Sequence, residues 1–585
     1  MRVLLLVVVS LLVAGCELVP QFLGHTTHKT DIGGSGGGGP LESDGCGGLG
    51  HSGPQTDAVI APAKAPPAIS GGTMAILSDG TVVAADSDRD QLHLYRVDRD
   101  IWHITLPEGS EPGRVIEGPR GTVFVALRAH SQVAVVEIES GEVALQQVCA
   151  SPRGLAYEPK QSLLFAACAT GELAKVWLGP AKHITTVSRP APDLRDLMWK
   201  DGQLWATSFR SAQLWEIDPL TLRATALPSP APQFPVNVQL KPQVAWRAVL
   251  VNGTVTMVHQ LEQADQVAAP GVCSGSYGLG GSGVPTVTSA VTTLDGAGAV
   301  TNFTGGVLPV DIAVASNGRV ALVSAGTKEV VFPGPNGSFT PLALPEQPVS
   351  LAFQPNGELW VFSREPASFT VINESNVVTR RISLSPRSAF STGHELFHQS
   401  TANLIACASC HPEAGEDGHV WALPEGTFKT PSLRGGLSGT EPFHWAGEET
   451  DMPVLLSDIF VARMNGAPQS AERTGALLSW LDAQPVRAAP SDLDAAAVAR
   501  GAATFASAGC AACHSGKVGS NNASVDVGSG GVFQVPRLVE LAYRAPFMHD
   551  GRAATLEDRF TTLGGAEHAV APSQLADLVA YLQTR

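Results

Sequence analysis

Charged and aromatic side chains are scarce in this chain. Asp, Glu, Lys and Arg make up 16% of its 585 residues, and Phe, Trp and Tyr only 6%. Cations are the scarcer sign: 38 Lys and Arg against 54 Asp and Glu give a formal net charge of −16. A surface so poor in positive charge repels polyphosphate backbones and anionic bilayers, which argues against nucleic acid as a partner. A basic protein partner is electrostatically suited. Long hydrophobic runs are also missing. The apolar run Val3 to Ala14 falls short of the span of a bilayer, and no other stretch approaches one. Glycine (61) and proline (42) are plentiful, and they interrupt helices and favour turns. The length leaves room for three or four domains, each with its own core.

The amino terminus reads as a targeting segment. Met1-Arg2 and the apolar run after it form a signal peptide, and Leu12-Val13-Ala14-Gly15-Cys16 resembles the bacterial lipoprotein cleavage box. By that resemblance residues 1–16 are a leader, and Cys16 becomes the lipidated first residue of the mature chain. Glu17, standing where Asp would signal inner-membrane retention, then implies a lipid anchor in the bacterial outer membrane, facing the periplasm or the cell surface. Residues 17–66 are rich in Gly, Ser, Pro and Thr and read as a flexible tether containing Cys46.

From 67 to 383 the chain repeats about every forty residues. The starts are Pro112-Gly113-Arg114, Pro152-Arg153-Gly154, Pro192-Asp193-Leu194, Pro235-Val236-Asn237, Pro309-Val310-Asp311 and Pro348-Val349-Ser350, with a proline-free start near Gly71-Gly72. Asp79-Gly80, Asp201-Gly202, Asn317-Gly318 and Asn356-Gly357 each precede an apolar strand, which is the strongest local hairpin signal. A mostly-strand unit of this length matches one blade of an all-β propeller. The step from Pro235 to Pro309 is nearly double. Either one blade carries the Gly-rich insertion around Ser274 to Gly283, giving seven blades, or an eighth is hidden there. The repeats resemble YVTN-type bacterial surface propellers. Cys149 and Cys168 flank a hairpin, where they form either a disulfide or two buried thiols; Cys273 has no evident partner. His259 reads as a structural histidine or one facing the central channel.

Two segments carry the chemistry: Cys407-Ala408-Ser409-Cys410-His411 and Cys510-Ala511-Ala512-Cys513-His514. Cysteines three apart share a helix face, so both thiols can join one porphyrin edge while the following histidine falls beneath the iron. Each is a c-type haem attachment signature. The alternatives are a zinc site or a thioredoxin-like redox pair. Gly393-His394-Glu395-Leu396-Phe397 and Gly501-Ala502-Ala503-Thr504-Phe505 precede the motifs as helices. Amphipathic helices with Leu477, Trp480 and Leu481, and with Leu578, Val579 and Leu582, close the two modules. The expected architecture is multidomain: a propeller of about seven blades, then two mainly α, class I-like cytochrome c modules at 384–486 and 487–585.

This last third resembles the bacterial di-haem cytochrome c peroxidase superfamily, which includes the methylamine-utilisation di-haem enzymes. The residues that carry the resemblance are Thr430-Pro431-Ser432-Leu433-Arg434, Pro442-Phe443-His444-Trp445-Ala446-Gly447, Val535-Pro536-Arg537-Leu538 and Ala545-Pro546-Phe547-Met548-His549-Asp550-Gly551-Arg552. It implies two c-type haems with His411 and His514 as proximal iron ligands, and Trp445 lying between the haems. For the sixth position of the first iron, His419 fits the family's distal histidine, and Met464 fits a simple cytochrome c. At the second iron, the position where the family carries a methionine or tyrosine holds Leu563, leaving His568, Met548 or a five-coordinate iron. The family's peroxide-site glutamine and glutamate correspond to Leu455 and Asn465, which cannot move protons; Glu448, Glu449 and Asp451 are the nearby substitutes. Calcium is weakly supported, since Lys429 replaces an expected asparagine.

Three functions follow. The first is electron transfer between a donor and an acceptor through two covalent haems. The second is an enzyme reducing hydrogen peroxide. The third is a binding or redox-sensing protein with the propeller as its recognition surface.

Overall fold

The computed structural model describes residues 54–179, 183–228, 238–267, 284–295, 298–334, 338–561 and 565–585. Cys16, Cys46, the Pro235 start, Cys273 and Leu563 lie outside the described residues.

Turn chemistry shapes the first two thirds. Asp79, Asn317 and Asn356 each accept a hydrogen bond through the side chain from the backbone two residues on, at 2.9–3.0 Å. The glycine between takes positive φ: 85° at Gly80, 86° at Gly318 and 89° at Gly357. That combination makes a tight turn without steric cost and launches a second strand. Seven four-stranded antiparallel sheets result, spanning 74–105, 112–147, 152–188, 194–226, 240–303, 309–343 and 347–383. Their innermost strands touch in ring order, and the first meets the last. The sheets are therefore blades one to seven of a closed propeller.

Each blade uses consecutive strands, so no strand is exchanged at the closure. The double step in the repeat is one blade. Blade five's second and third strands, Thr254–Gln263 and Val287–Asp295, are paired neighbours joined by the segment that contains Ser274 to Gly283. Cys149 and Cys168 form a disulfide with Cα atoms 6.0 Å apart. His259 is structural: it is buried, bonded to the Gln260 carbonyl and the Thr292 hydroxyl.

The proline-started strands are irregular near their beginnings. Register slips between Pro112 and Val115, Leu194 and Leu197, Gln243 and Arg247, and Pro309 and Asp311. Such bulges re-aim side chains. Here Arg114, Asp196, Arg247 and Asp311 form a buried ladder of charge, with Asp196 meeting both Arg114 and Arg247 and Asp311 meeting Arg247.

All seven α-helices of the described residues lie beyond the propeller. They are α1 Thr392–His398, α2 Cys407–Cys410, α3 Met452–Leu455, α4 Ala471–Asp482, α5 Ala495–Ser507, α6 Leu556–Thr561 and α7 Pro572–Leu582. The expectation of mainly helical modules is corrected here. Most of the region is irregular chain, with hairpins at Val420–Leu423 with Gly426–Lys429 and at Ser524–Asp526 with Val532–Gln534. Its glycines and prolines hold loops in place of longer helices.

Helix α1 crosses α4, and α5 crosses α7, each over a glycine with no room for a side chain. A Cβ on Gly393 would sit 2.3 Å from the Ala476 carbonyl oxygen, and one on Gly501 1.9 Å from that of Asp577. Beside each crossing an aromatic pair packs: Phe397 on Trp480 at 4.9 Å and Phe505 on Tyr581 at 5.3 Å. Gly393→Ala and Gly501→Ala are each expected to destabilise the fold by about 1–3 kcal/mol, read as a lowered thermal midpoint. An unchanged midpoint would mean that the crossings are not close-packed.

Residues 50–585 form one compact unit. The core runs without a break from Ile69 and Val349 into Phe397 and Trp480. The end of the segment expected to be a free tether is fastened to the helices. The Gln55 amide donates to the Pro468 carbonyl at 2.9 Å, and Pro66 accepts from the Trp480 indole at 2.8 Å. Every blade reaches the carboxy-terminal region from one face. Arg89 binds the Arg387 carbonyl, and Arg128, Arg153 and Arg195 bind Glu413. Gln260 binds the Ser409 carbonyl, Lys328 binds Glu395, and Arg364 approaches His394. That face is an internal docking platform.

Candidate functional site

Helix α2 puts Cys407 and Cys410 on one wall of a cavity of about 290 Å³, with His411 following at its end. Neither thiol is in a disulfide. Burial pushes the Cys407 thiol up to about 12 and the Cys410 thiol well above its usual value. Both are neutral, unlike the depressed thiols of redox pairs.

The His411 ring is held by backbone. Its Nδ1 lies 3.3 Å from the Gly415 carbonyl, and the Pro431 carbonyl is a second acceptor beside it. Burial lowers its pKa to about 4, so the imidazole is neutral. Met464 lines the same cavity at the end of the π-helical segment Leu456–Arg463 and is buried. Met452, Leu455, Leu456 and Ile459 make this wall apolar.

His419 is not among the lining residues. Its Nδ1 is 3.2 Å from the Gln243 amide and 3.4 Å from Glu262, and its Nε2 is 3.0 Å from the Gln263 carbonyl. The propeller has engaged both nitrogens. The neighbouring Trp421 lines the cavity instead, its indole bonded to Thr430 at 2.9 Å.

The third wall belongs to the second module. Asn522, Gln534, Val535, Pro536, Arg537 and Arg544 close the cavity, and with Lys429 and Arg463 they bring four cations to it. Lys429 pairs with Glu416 at 2.5 Å, and its backbone carbonyl accepts from the Trp445 indole at 2.7 Å. Trp445 lines the cavity and lies 6.3 Å from His549, which stacks on Phe533 at 3.9 Å. An aromatic path thus leaves the cavity toward the second module. Among the described residues, no group of three His, Cys, Asp or Glu side chains is placed to hold a bare metal ion.

The three substitute carboxylates separate. Asp451 caps α3 through a 2.9 Å bond to the Val454 amide. Glu449 is buried, and desolvation raises its pKa. Glu448 lines the cavity and bonds His444, also a lining residue, at 3.0 Å. Burial raises the Glu448 carboxyl, but the His444 bond and charge together with backbone hydrogen bonds hold the group below its usual range. His444 has no role assigned by its motif; its spacing of four from Glu448 is the signal for the pair in the sequence.

The second motif is more open. Cys510 packs beside Phe505 and Leu541, while Cys513 is exposed. His514 repeats the backbone arrangement of His411: its Nδ1 is 3.0 Å from the Gly519 carbonyl, with the Pro536 carbonyl as second acceptor. His568 is within electrostatic reach of His514, and its Nδ1 meets Arg559 at 2.7 Å. Met548 is half-buried on a positive-φ turn, and it does not line the first cavity. Its turn repeats the one at His444: Phe443 bridges Glu449, and Phe547 bridges Ala553.

No family model matches the chain. No curated protein matches it in sequence. Among solved structures it is similar to a streptogramin B lyase at 12% identity and TM-score 0.38, over 52% of this chain and 93% of the other. A virginiamycin B lyase from Staphylococcus aureus is similar at 11% identity and TM-score 0.38, over 50% and 92%. The Cps50 (Swd1) β-propeller domain of Myceliophteria thermophila gives 11% identity and TM-score 0.36, over 54% and 99%.

Proposed function

We propose that the chain is an exported di-haem c-type cytochrome whose role is electron transfer. One observation carries this reading. Two neutral, unbridged thiols and an imidazole from a single Cys-x-x-Cys-His segment line one cavity, with a buried methionine sulfur in its lining. Those donors fit a c-type haem: Cys407 and Cys410 would attach it, and His411 and Met464 would be the residues that hold its iron. Such a haem supplies a one-electron iron couple. The chain's own residues do the rest. Gly415 holds Nδ1 of His411, so Nε2 is the nitrogen that would ligate the iron. The apolar wall excludes water, and Lys429, Arg463, Arg537 and Arg544 offer counter-charge to carboxylates of a bound group. Trp445 and His549 offer a route between the sites. The second attachment site would use Cys510, Cys513 and His514, with His568, which lies within electrostatic reach of His514, as a candidate ligand.

Peroxide reduction is the second reading, and the His444–Glu448 pair favours it, since an imidazole bonded to a carboxylate can move a proton at the cavity. It requires the sixth position to be open. Met464→Ala separates the two: the sulfur-to-iron absorption band is expected to vanish and a high-spin signal to appear, with peroxide turnover rising from the level of free haem. A variant with an unaltered spectrum would remove Met464 as the ligand. Lipidation at Cys16 belongs to the same proposal, and mass spectrometry of the mature amino terminus tests it.

A further inference from the structure

The residue two places after His411 belongs, by its contacts, to the propeller. The Glu413 carboxylate is buried among four side chains that come from or before the blades. Arg195 lies at 2.6 Å, Arg153 at 2.7 Å, Arg128 at 3.4 Å and the Ser70 hydroxyl at 2.6 Å. The backbone there is unusual. Glu413 and Ala414 are consecutive non-glycine residues at φ 54° and 59°. Side chains rarely adopt that region unless their surroundings enforce it. The Glu413 carbonyl is also fixed, accepting from Arg434 at 2.6 Å. The chain then reaches Gly415, whose amide donates to the Pro412 carbonyl at 2.9 Å and whose own carbonyl faces Nδ1 of His411.

We propose that Glu413 is a positioning residue through which the propeller sets the orientation of the His411 imidazole, and with it the redox behaviour of the first site alone. The proposal rests on the haem reading above. The hydrogen bond at Nδ1 fixes the plane of a ligating imidazole and its electron donation at Nε2. Turning the Gly415 carbonyl therefore changes the ligand field without touching the thioether bonds. The second motif lacks the device, because Gly516 stands where Glu413 does and His514 takes its backbone bond from Gly519. Each molecule thus contains its own control site.

The test uses the full-length chain with its haems attached, in wild-type form and as Glu413→Gln, Glu413→Asp and the pair Arg153→Lys with Arg195→Lys. Covalent haem per denatured chain, potentiometric titration and low-temperature EPR are read together. Cys510→Ser with Cys513→Ser identifies which signal belongs to the first site. Glu413→Gln is expected to keep two haems per chain, to raise the first-site potential as the arginines lose their counter-charge, and to alter only the first-site g-values. Glu413→Asp, which keeps the charge, recovers part of that shift. The arginine pair perturbs the same signal from the propeller side, and it reports even if Glu413→Gln fails to fold. First-site signals unchanged in both Glu413→Gln and the arginine pair would overturn the proposal, as would equal shifts at both sites. Absence of thioether-bound haem from wild-type protein would instead remove the underlying reading, and this inference with it.

Discussion

If both motifs attach haem as proposed, replacing Cys407 and Cys410 together by serine is expected to halve the covalently bound pigment of the chain. The measurement is pigment retained after denaturation and solvent extraction, which removes every haem not held by thioether bonds. Both thiols line the first cavity and neither takes part in a disulfide, so their loss breaks no existing cross-link. The propeller should survive, because its seven sheets and its Cys149–Cys168 bridge involve neither residue. Circular dichroism of the strand content provides that control. Cys510→Ser with Cys513→Ser is expected to remove the other half. Combining all four should leave a colourless protein. Full pigment retention by the four-serine variant would exclude thioether attachment at these motifs.

The second large effect is loss of stability in mild acid. His259, His394 and His398 are fully buried, and burial holds each pKa down, to about 4 for His259 and about 3 for His398. For His394 the Arg364 guanidinium and His398 add to the effect. In the unfolded chain each would take up a proton near pH 6.5. Between those values the unfolded state binds more protons than the folded one, so stability is complete above about pH 6.5 and falls as the pH drops. Each of these histidines disfavours the folded state increasingly below that point, whereas Asp88 and Asp417, which burial holds up at about 6 and about 7, act in the opposite direction. Glu413 acts in the same direction at lower pH, since its depressed carboxyl loses stabilising contacts only on protonation. Denaturant midpoints at pH 7 and pH 5 read the loss. His259→Gln with His398→Gln should reduce the loss between pH 7 and pH 5; an unchanged loss would assign the acid lability to other groups.

How much was legible in advance differs between the two halves. The blades were, because a proline start and an Asn-Gly or Asp-Gly turn fix their geometry within a few residues. Asn356 bonds the backbone of Glu358, and Gly357 supplies the positive φ, with no help from distant chain. The nearly double step was ambiguous in sequence, since an insertion and a degenerate blade have the same length. Pairing of Thr254–Gln263 with Val287–Asp295 decided it. The helices before and after each motif were legible and are α1, α4, α5 and α7; that irregular chain fills most of the region between them was not, because its glycines and prolines hold loops.

The sequence by itself determined the two thiol–imidazole motifs, the glycine-bearing helices that flank them and the repeat that builds the ring. All of these are written in spacings of two to forty residues. Only the tertiary structure separates the surroundings of His419 and Met464: Met464 lines the cavity, while Gln243, Glu262 and the Gln263 carbonyl engage both ring nitrogens of His419. It alone revealed Glu413 as the propeller's partner, across 218 residues to Arg195 and 260 to Arg153. Local conformation follows from neighbours along the chain, whereas burying a charge requires opposite charges that folding must bring from elsewhere.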